Sequence, residues 1–367
     1  MTYLNDKRIV MTLDAGGTNF VFSALRGVES VVEPITIPAN VALLDNCLDY
    51  IVKGFKEVKR NLKEKPVAIS FAFPGPADYP NGIIGDLMNL PAFKGGVALG
   101  PMLQNIFQMP VFINNDGDLF AYGEAIAGLL PEVNELLEKS GSPKRYKNLF
   151  GVTLGTGFGG GLVHNGQLYI GDNAAASEIW LMRNFKYNNC FAEEGISKRA
   201  IIRSYESYSK VKVRSDITPK DIFDIAEDKQ PGDRHAAVRA FEEFGTVLGD
   251  ALANAVTLTD SIIVLGGGLS NAWKYFAPAM LKVLDGTIDT ITGGKVNRLE
   301  MKVFSLEDET ERKAFATGHH CQIKVPFSDM LVDYDPLKRI GIGKSRLGTS
   351  HAISVGAYAY ALSQLKA

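Results

Sequence analysis

The chain has 367 residues, 46% of them hydrophobic by count, and a formal charge of −2 at neutral pH. That is enough sequence for two domains with separate cores, and the near balance of 39 basic and 41 acidic residues removes charge-driven binding to nucleic acid or to an anionic membrane. No basic amino-terminal segment leads into a long apolar run with a cleavage site, and no stretch has the length of a membrane span, so a cytoplasmic protein is expected. The three cysteines, Cys47, Cys190 and Cys321, form no CxxC pair and suit a reducing compartment.

In chain order, residues 8–13 (RIVMTL) predict a short apolar strand that breaks at DAGGTN (14–19) and resumes as FVFSAL. A helix is expected over 43–63, a strand over 67–73 (VAISFAF) ending in Pro74-Gly75-Pro76, and a strand over 111–115 (VFINN) that stops at Asp116. LFAYGEAIAGLL after it has the composition of a helix. Residues 131–147, charged and carrying Gly-Ser-Pro, read as an exposed helix and loop. Residues 149–154 (LFGVTL) predict a strand, the chain turns at GTGFGGG (155–161), and LVHNGQLYI returns as β structure. Helix follows over 221–259. A buried strand over 261–265 (SIIVL) leads into Gly266, Gly267 and Gly268, and residues 352–365 form a final amphipathic helix. The unit of strand, glycine turn and strand occurs twice, which points to two related lobes and not to a solenoid.

Gly155, Gly157 and Gly160 match the dinucleotide fingerprint as a string, but that motif needs a helix directly after it and here a strand follows. No Walker pattern is present. A β-hairpin turn is the remaining phosphate-binding device, because backbone N–H groups converge on phosphate oxygens where no Cβ intervenes. Thr18, Asn19 and Thr156 add side-chain donors. Asp14, at the end of the first strand, is placed to orient Mg²⁺ through water, since direct contact with phosphate would set two anions together. Asp116 ends a strand where α/β sheets place ligand sites, and a carboxylate there is suited to take a hydroxyl proton as that oxygen attacks phosphorus. Asn115 beside it offers a donor and an acceptor to a vicinal diol. By local composition alone, Asn-Asp-Gly-Asp is a turn sequence.

The ordered motifs DAGGTN, PGPAD, NGIIGDLMNLPAF, NNDGDLFAYGEA, LGTGFGGGLVHNG and VLGGGLS resemble the ROK family (repressor, open reading frame, kinase), which contains bacterial glucokinases and N-acetylhexosamine kinases. The similarity runs from about Ile9 to LGTSHAISVGAYAYAL in the tail. It implies an α/β, two-lobed actin-like ATPase and hexokinase (ribonuclease H-like) fold with a central cleft, whose closure excludes water. The lobes expected are residues 1–118, completed by 352–367, and residues 119–351. By the same resemblance ATP and Mg²⁺ are the cofactors, and the phosphates lie against Asp14, Gly16, Gly17, Thr18 and Asn19 and against Thr156, Gly157 and Gly159. Gly266, Gly267 and Gly268 lie near the adenosine. Asp116 falls on the family's base, and Asn115, Glu178 and Glu193 fall on its sugar ligands, with Gly82 and Asn89 in a segment that lines the sugar site. A homodimer is implied.

The sequence departs from the family where a His and a group of cysteines bind a structural zinc. Leu181 stands at the His position and only Cys190 remains in the next segment, too few ligands for tetrahedral zinc, so none is expected. His319, His320 and Cys321 are adjacent and poorly placed to face one ion, which gives them a surface or packing role. Glu124, on the helix after Asp116, reads as structural, pointing to solvent or a local partner. The competing functions are a sugar-responsive transcriptional regulator, disfavoured because Asp14 leaves no room before it for a helix-turn-helix, and a non-catalytic sugar sensor.

Overall fold

In the computed structural model, which describes residues 3–15, 19–38, 43–75, 77–85 and 91–365, the first apolar run becomes β1 (Val10–Ala15), its leading four residues buried. β2 (Asn19–Arg26) pairs with it antiparallel, Leu13 opposite Phe22, and the short strands β3 (Glu29–Ser30) and β4 (Ile35–Pro38) pair with β2. α1 (Leu44–Asn61) buries Cys47, Ile51, Phe55 and Val58, a spacing that keeps them on one helical face. β5 (Ala68–Ala72) is buried at every residue, the mark of a strand covered on both sides. It runs parallel to β1 and to β6 (Val111–Asn114), which follows α2 (Leu99–Phe107) and leads into α3 (Asp116–Ala127). The sheet order is β3-β2-β1-β5-β6. Phe22, Phe55, Phe71 and Phe107 interlock against it, and the Phe22 and Phe55 rings meet edge to face at 5.2 Å.

Beyond α3 come α4 (Leu129–Lys139), β7 (Leu149–Leu154), β8 (Phe158–His164) and β9 (Gln167–Tyr169). Three helices follow, α5 (Lys198–Ser209), α6 (Pro219–Ala226) and α7 (Arg234–Thr259), then β10 (Ile262–Gly266) and α8 (Trp273–Leu284). β11 (Thr287–Asp289) and β12 (Lys295–Asn297) form one exposed hairpin. After β13 (Lys302–Ser305) and α9 (Glu309–Thr317), β14 (Cys321–Lys324) and β15 (Leu331–Tyr334) form another. β16 (Arg339–Lys344) and α10 (Thr349–Gln364) end the described chain. The second sheet has the order β13-β16-β10-β7-β8-β9, with β13, β16, β10 and β7 parallel. Among the described residues, no helix is long and apolar enough to cross a membrane.

The chain divides into two units, one of Met1–Pro131, Gly161–Ser177 and Ser345–Ala367, the other of Glu132–Gly160 and Glu178–Lys344. A boundary after residue 118 therefore differs from the packing. α3 belongs with the first unit because α10 lies against it so closely that a Cβ on Gly123 would collide with the Ala352 carbonyl, and one on Gly356 with the Leu119 carbonyl. Residues 131–147 are also less exposed than their charge suggests. Val133 and Leu137 are buried, and the Tyr146 ring stacks on Phe315 while its hydroxyl donates to the Arg339 carbonyl at 2.5 Å. Arg339 itself is buried and paired with Asp335 at 2.6 Å, tying the base of the β14–β15 hairpin to the start of β16.

Glu124 is structural as expected, but it is fully buried and its partners are both local and distant. Its Oε2 accepts the Leu129 N–H at 2.9 Å, and its Oε1 accepts the Ser345 hydroxyl at 2.5 Å and the N–H groups of Arg346 and Leu347 at 3.1 and 3.0 Å. A buried carboxylate with this many donors is well compensated; the donors without it are not. Glu124→Ala should therefore cost about 3 kcal/mol or more in urea unfolding, and Glu124→Gln, which keeps one carbonyl acceptor, clearly less.

Candidate active site

Strand register brings the first group of residues together. Asp14 lies opposite Ala72, and Ala72 opposite Asn114, so one row crosses the carboxyl ends of three neighbouring parallel strands. Asn115 and Asp116 come next in the chain. Asn115 is the N-cap of α3, its Oδ1 accepting the Gly117 N–H at 2.7 Å, and Asp116 is the first helical residue, its Oδ1 accepting the same N–H at 2.9 Å. The turn chemistry visible in Asn-Asp-Gly-Asp is thus a helix start, with the backbone positive end of α3 beneath the carboxylate. Asp118, in the same first turn, is 4% exposed.

Asp116 is open to water at its own surface yet closely surrounded by protein. Loss of solvation raises its carboxyl above the ordinary aspartate value, the Gly117 N–H and its own N–H oppose that rise, and the charge of Asp14 adds to it. Raising the proton affinity of a carboxylate is what a base needs to work near neutral pH. Asp14 is half-buried at the end of β1, and no described residue hydrogen-bonds to its carboxylate. An unpartnered anion that repels its neighbour fits the vicinity of a cation. Asn19, the first residue of β2, is exposed.

A second group lies in the other unit. The turn between β7 and β8 presents Thr156 to solvent, with Gly157 beside it and Gly159 in β8. The Phe158 N–H donates to Glu193 Oε2 at 3.0 Å, and Glu193 Oε1 pairs with Arg199 at 3.3 Å. Glu178 accepts the Trp180 indole N–H, and the Trp180 ring meets Phe191 edge to face. Gly266 ends β10 opposite Thr153 of β7. Gly267 has φ of 85°, and a Cβ there would strike the Leu154 carbonyl, so this glycine lets the end of β10 close against the end of β7. Gly268 has open space around it.

Other expected residues stand apart or fall outside the described chain. Gly82 packs on the start of α2, its carbonyl accepting the Gly100 N–H at 2.9 Å, and lines a surface cavity of about 500 Å3 with Pro101 and Gln104. Gly16, Gly17, Thr18 and Asn89 lie outside the described residues. Leu181 is 57% exposed and Cys190 is exposed. His320 pairs with Asp333 at 3.3 Å across the β14–β15 hairpin, while Asp335 accepts the backbone N–H of His319. Among the described residues, no group of three or more His, Cys, Asp or Glu side chains is arranged to hold a metal ion. The sequence reading missed the bond from Phe158 to Glu193 and the carboxylate knot at Glu124. A lone Glu within the apolar stretch LFAYGEAIAGLL is a sequence signal that could have pointed to the latter.

The ROK family model matches residues 10–302 of the chain. The chain belongs to the ROK family. A crystal structure of a glucokinase from Parabacteroides distasonis is 53% identical, superposes with a TM-score of 0.90, and aligns over 100% of both chains. A glucokinase of Halalkalibacterium halodurans is 26% identical over 290 residues, 71% of this chain and 80% of its own. An N-acetyl-D-glucosamine kinase of Vibrio cholerae is 31% identical over 221 residues, 55% of this chain and 66% of its own. The fold is accordingly the α/β actin-like and hexokinase type, and this ROK protein is an ATP-dependent sugar kinase.

The raised Asp116 carboxyl has a consequence for stability. The folded kinase holds this proton more tightly than the unfolded chain does, so ionising it lowers stability as the pH rises through the raised value. Asp116→Asn should melt above the wild type at about pH 7, and the gap should close as the pH falls towards about 4, which melting curves across that range will check.

Proposed function

We propose that the protein transfers the γ-phosphoryl group of ATP to a hydroxyl of a hexose or N-acetylhexosamine, with glucose the first candidate and Asp116 the general base. The observation that carries the reading is the raised carboxyl at the head of α3, beside Asn115, in a chain 53% identical over its whole length to a glucokinase. Asp116 accepts the hydroxyl proton as the sugar oxygen bonds to phosphorus, and the bond from phosphorus to the β,γ-bridging oxygen breaks to leave ADP. Asn115, held by its capping bond to Gly117, orients the sugar beside the base. Glu178 and Glu193 supply acceptors for further hydroxyl groups, the first steadied by the Trp180 indole and the second by Arg199.

The exposed Thr156 with Gly157 and Gly159 supports reading the β7–β8 turn as a phosphate holder, together with Asn19 and the residues 14–18 that include Gly16, Gly17 and Thr18. Gly266, Gly267 and Gly268 serve the adenosine side, and Gly82 and Asn89 belong to the sugar-side segment. Asp14 fits a water-mediated Mg²⁺ ligand because its half-buried carboxylate has no partner among the described residues. Bound Mg²⁺ screens the charge of the phosphates. The loss of the family His at Leu181 changes what the protein offers the sugar and makes acceptance of more than one hexose a matter for assay.

A coupled assay of ADP release with glucose, mannose, fructose, N-acetylglucosamine and N-acetylmannosamine tests the substrate class. Asp116→Ala should lower kcat by about 10²- to 10⁴-fold with a much smaller change in sugar affinity. Near-normal turnover in that variant would remove Asp116 as the base. In the wild type, kcat should fall as the pH drops through the raised carboxyl value, so the acid limb should lie above the value of about 3.9 typical of an aspartate.

A further inference from the structure

Glu193 does something for the glycine turn that a sugar ligand need not do. Its Oε2 accepts the N–H of Phe158, the residue that ends the turn and opens β8, at 3.0 Å. From the other side, the carbonyl of Gly155 accepts the N–H of Lys198, the first residue of α5, at 3.0 Å. Within the turn itself the Gly155 N–H donates to the Gly157 carbonyl, also at 3.0 Å. The short segment from Glu193 to Lys198 therefore grips the turn at both ends. That segment is itself fixed, because Ser197 caps α5 by accepting the Ala200 N–H at 3.3 Å.

Gly157 carries the argument further. Its backbone is not in the left-handed region, so its conformation does not call for glycine. The three atoms nearest to a Cβ at this position all belong to Glu193, with Oε2 at 2.5 Å, Cδ at 3.3 Å and Oε1 at 3.8 Å. Glycine thus leaves room for the carboxylate lying against the turn, and a Cβ there would push that carboxylate away from the Phe158 N–H. A lone carboxylate so close to a phosphate-holding turn would repel the phosphates, and the Arg199 guanidinium at 3.3 Å offsets that charge. With the N–H groups of Gly155 and Phe158 already engaged, those of Thr156 and Gly157 are left without partners among the described residues and free to meet an anion.

We infer that Glu193 is a positioning residue for the phosphate turn: its carboxylate sets the Phe158 N–H and so fixes which turn donors face the nucleotide, and Gly157 exists to admit it. The inference rests on the proposed function only for what the turn holds. The test measures AMPPNP affinity by calorimetry, without sugar, for the wild type, Glu193→Ala, Glu193→Gln, Gly157→Ala and the double variant Gly157→Ala with Glu193→Ala. Glu193→Ala and Gly157→Ala should each weaken AMPPNP about tenfold, Glu193→Gln should recover most of the loss through its amide oxygen, and the double variant should be no weaker than Glu193→Ala. Unchanged AMPPNP affinity in Glu193→Ala with lost glucose affinity would overturn the inference and leave Glu193 a sugar ligand alone. Additive losses in the double variant would overturn the link to Gly157. Amide hydrogen exchange at Phe158 supplies a readout independent of ligands. If the wild type fails to bind AMPPNP, the reading of the turn as a phosphate holder falls, while lost Phe158 protection in Glu193→Ala still upholds the strut and retained protection overturns it.

Discussion

A buried negative charge at Glu124 holds the first unit in register with itself. The carboxylate gathers N–H groups from the start of α4 and from the segment that enters α10, two parts of the chain separated by the whole of the second unit. Burying an ion is unfavourable unless its lone pairs are filled, so the arrangement tolerates little sliding. Gly123 and Gly356 bring the same two helices into backbone contact. α3 is thereby fixed along its length, and its first residue is Asp116.

The chemistry at that end depends on competition between two effects on one carboxyl. The N-terminus of α3 and the Gly117 N–H favour the anion, while loss of water and the neighbouring Asp14 oppose it, and the opposing pair prevails. A fully solvated aspartate at a helix N-terminus would hold its proton less tightly and be the weaker base. In the second unit a carboxylate again meets a backbone N–H, with Glu193 accepting from Phe158 on one oxygen and pairing with Arg199 on the other.

Much of this was legible in the sequence. The runs VAISFAF and SIIVL gave buried parallel strands, and the two glycine breaks between apolar runs marked the strand-turn-strand units, because strand patterning and glycine act locally. The row through Asp14, Ala72 and Asn114 was not legible, since register between strands distant in sequence is set by the folded sheet. Glu124 was read only in part, for a related reason. A helix Glu is expected to face water or a near neighbour; Leu129 is such a neighbour, but the donors at Ser345, Arg346 and Leu347 lie more than two hundred residues away. Residues 131–147 are a helix and a surface loop as read, but the inward packing of Val133, Leu137 and Tyr146 was not legible because these are dispersed among charges.

The place of α10 also governs the order in which the chain is completed. α10 packs on β1, β5 and β6, and Tyr358 donates its hydroxyl to the carbonyls of Asp6 and Arg8, across separations of 352 and 350 residues. During synthesis the strands of the first sheet emerge early but wait for this helix until the second unit has been made. The second unit draws all its strands and helices from the interval between, so it has what it needs to fold first. A half-made chain would thus carry an amino-terminal sheet with one apolar face uncovered until α10 arrives.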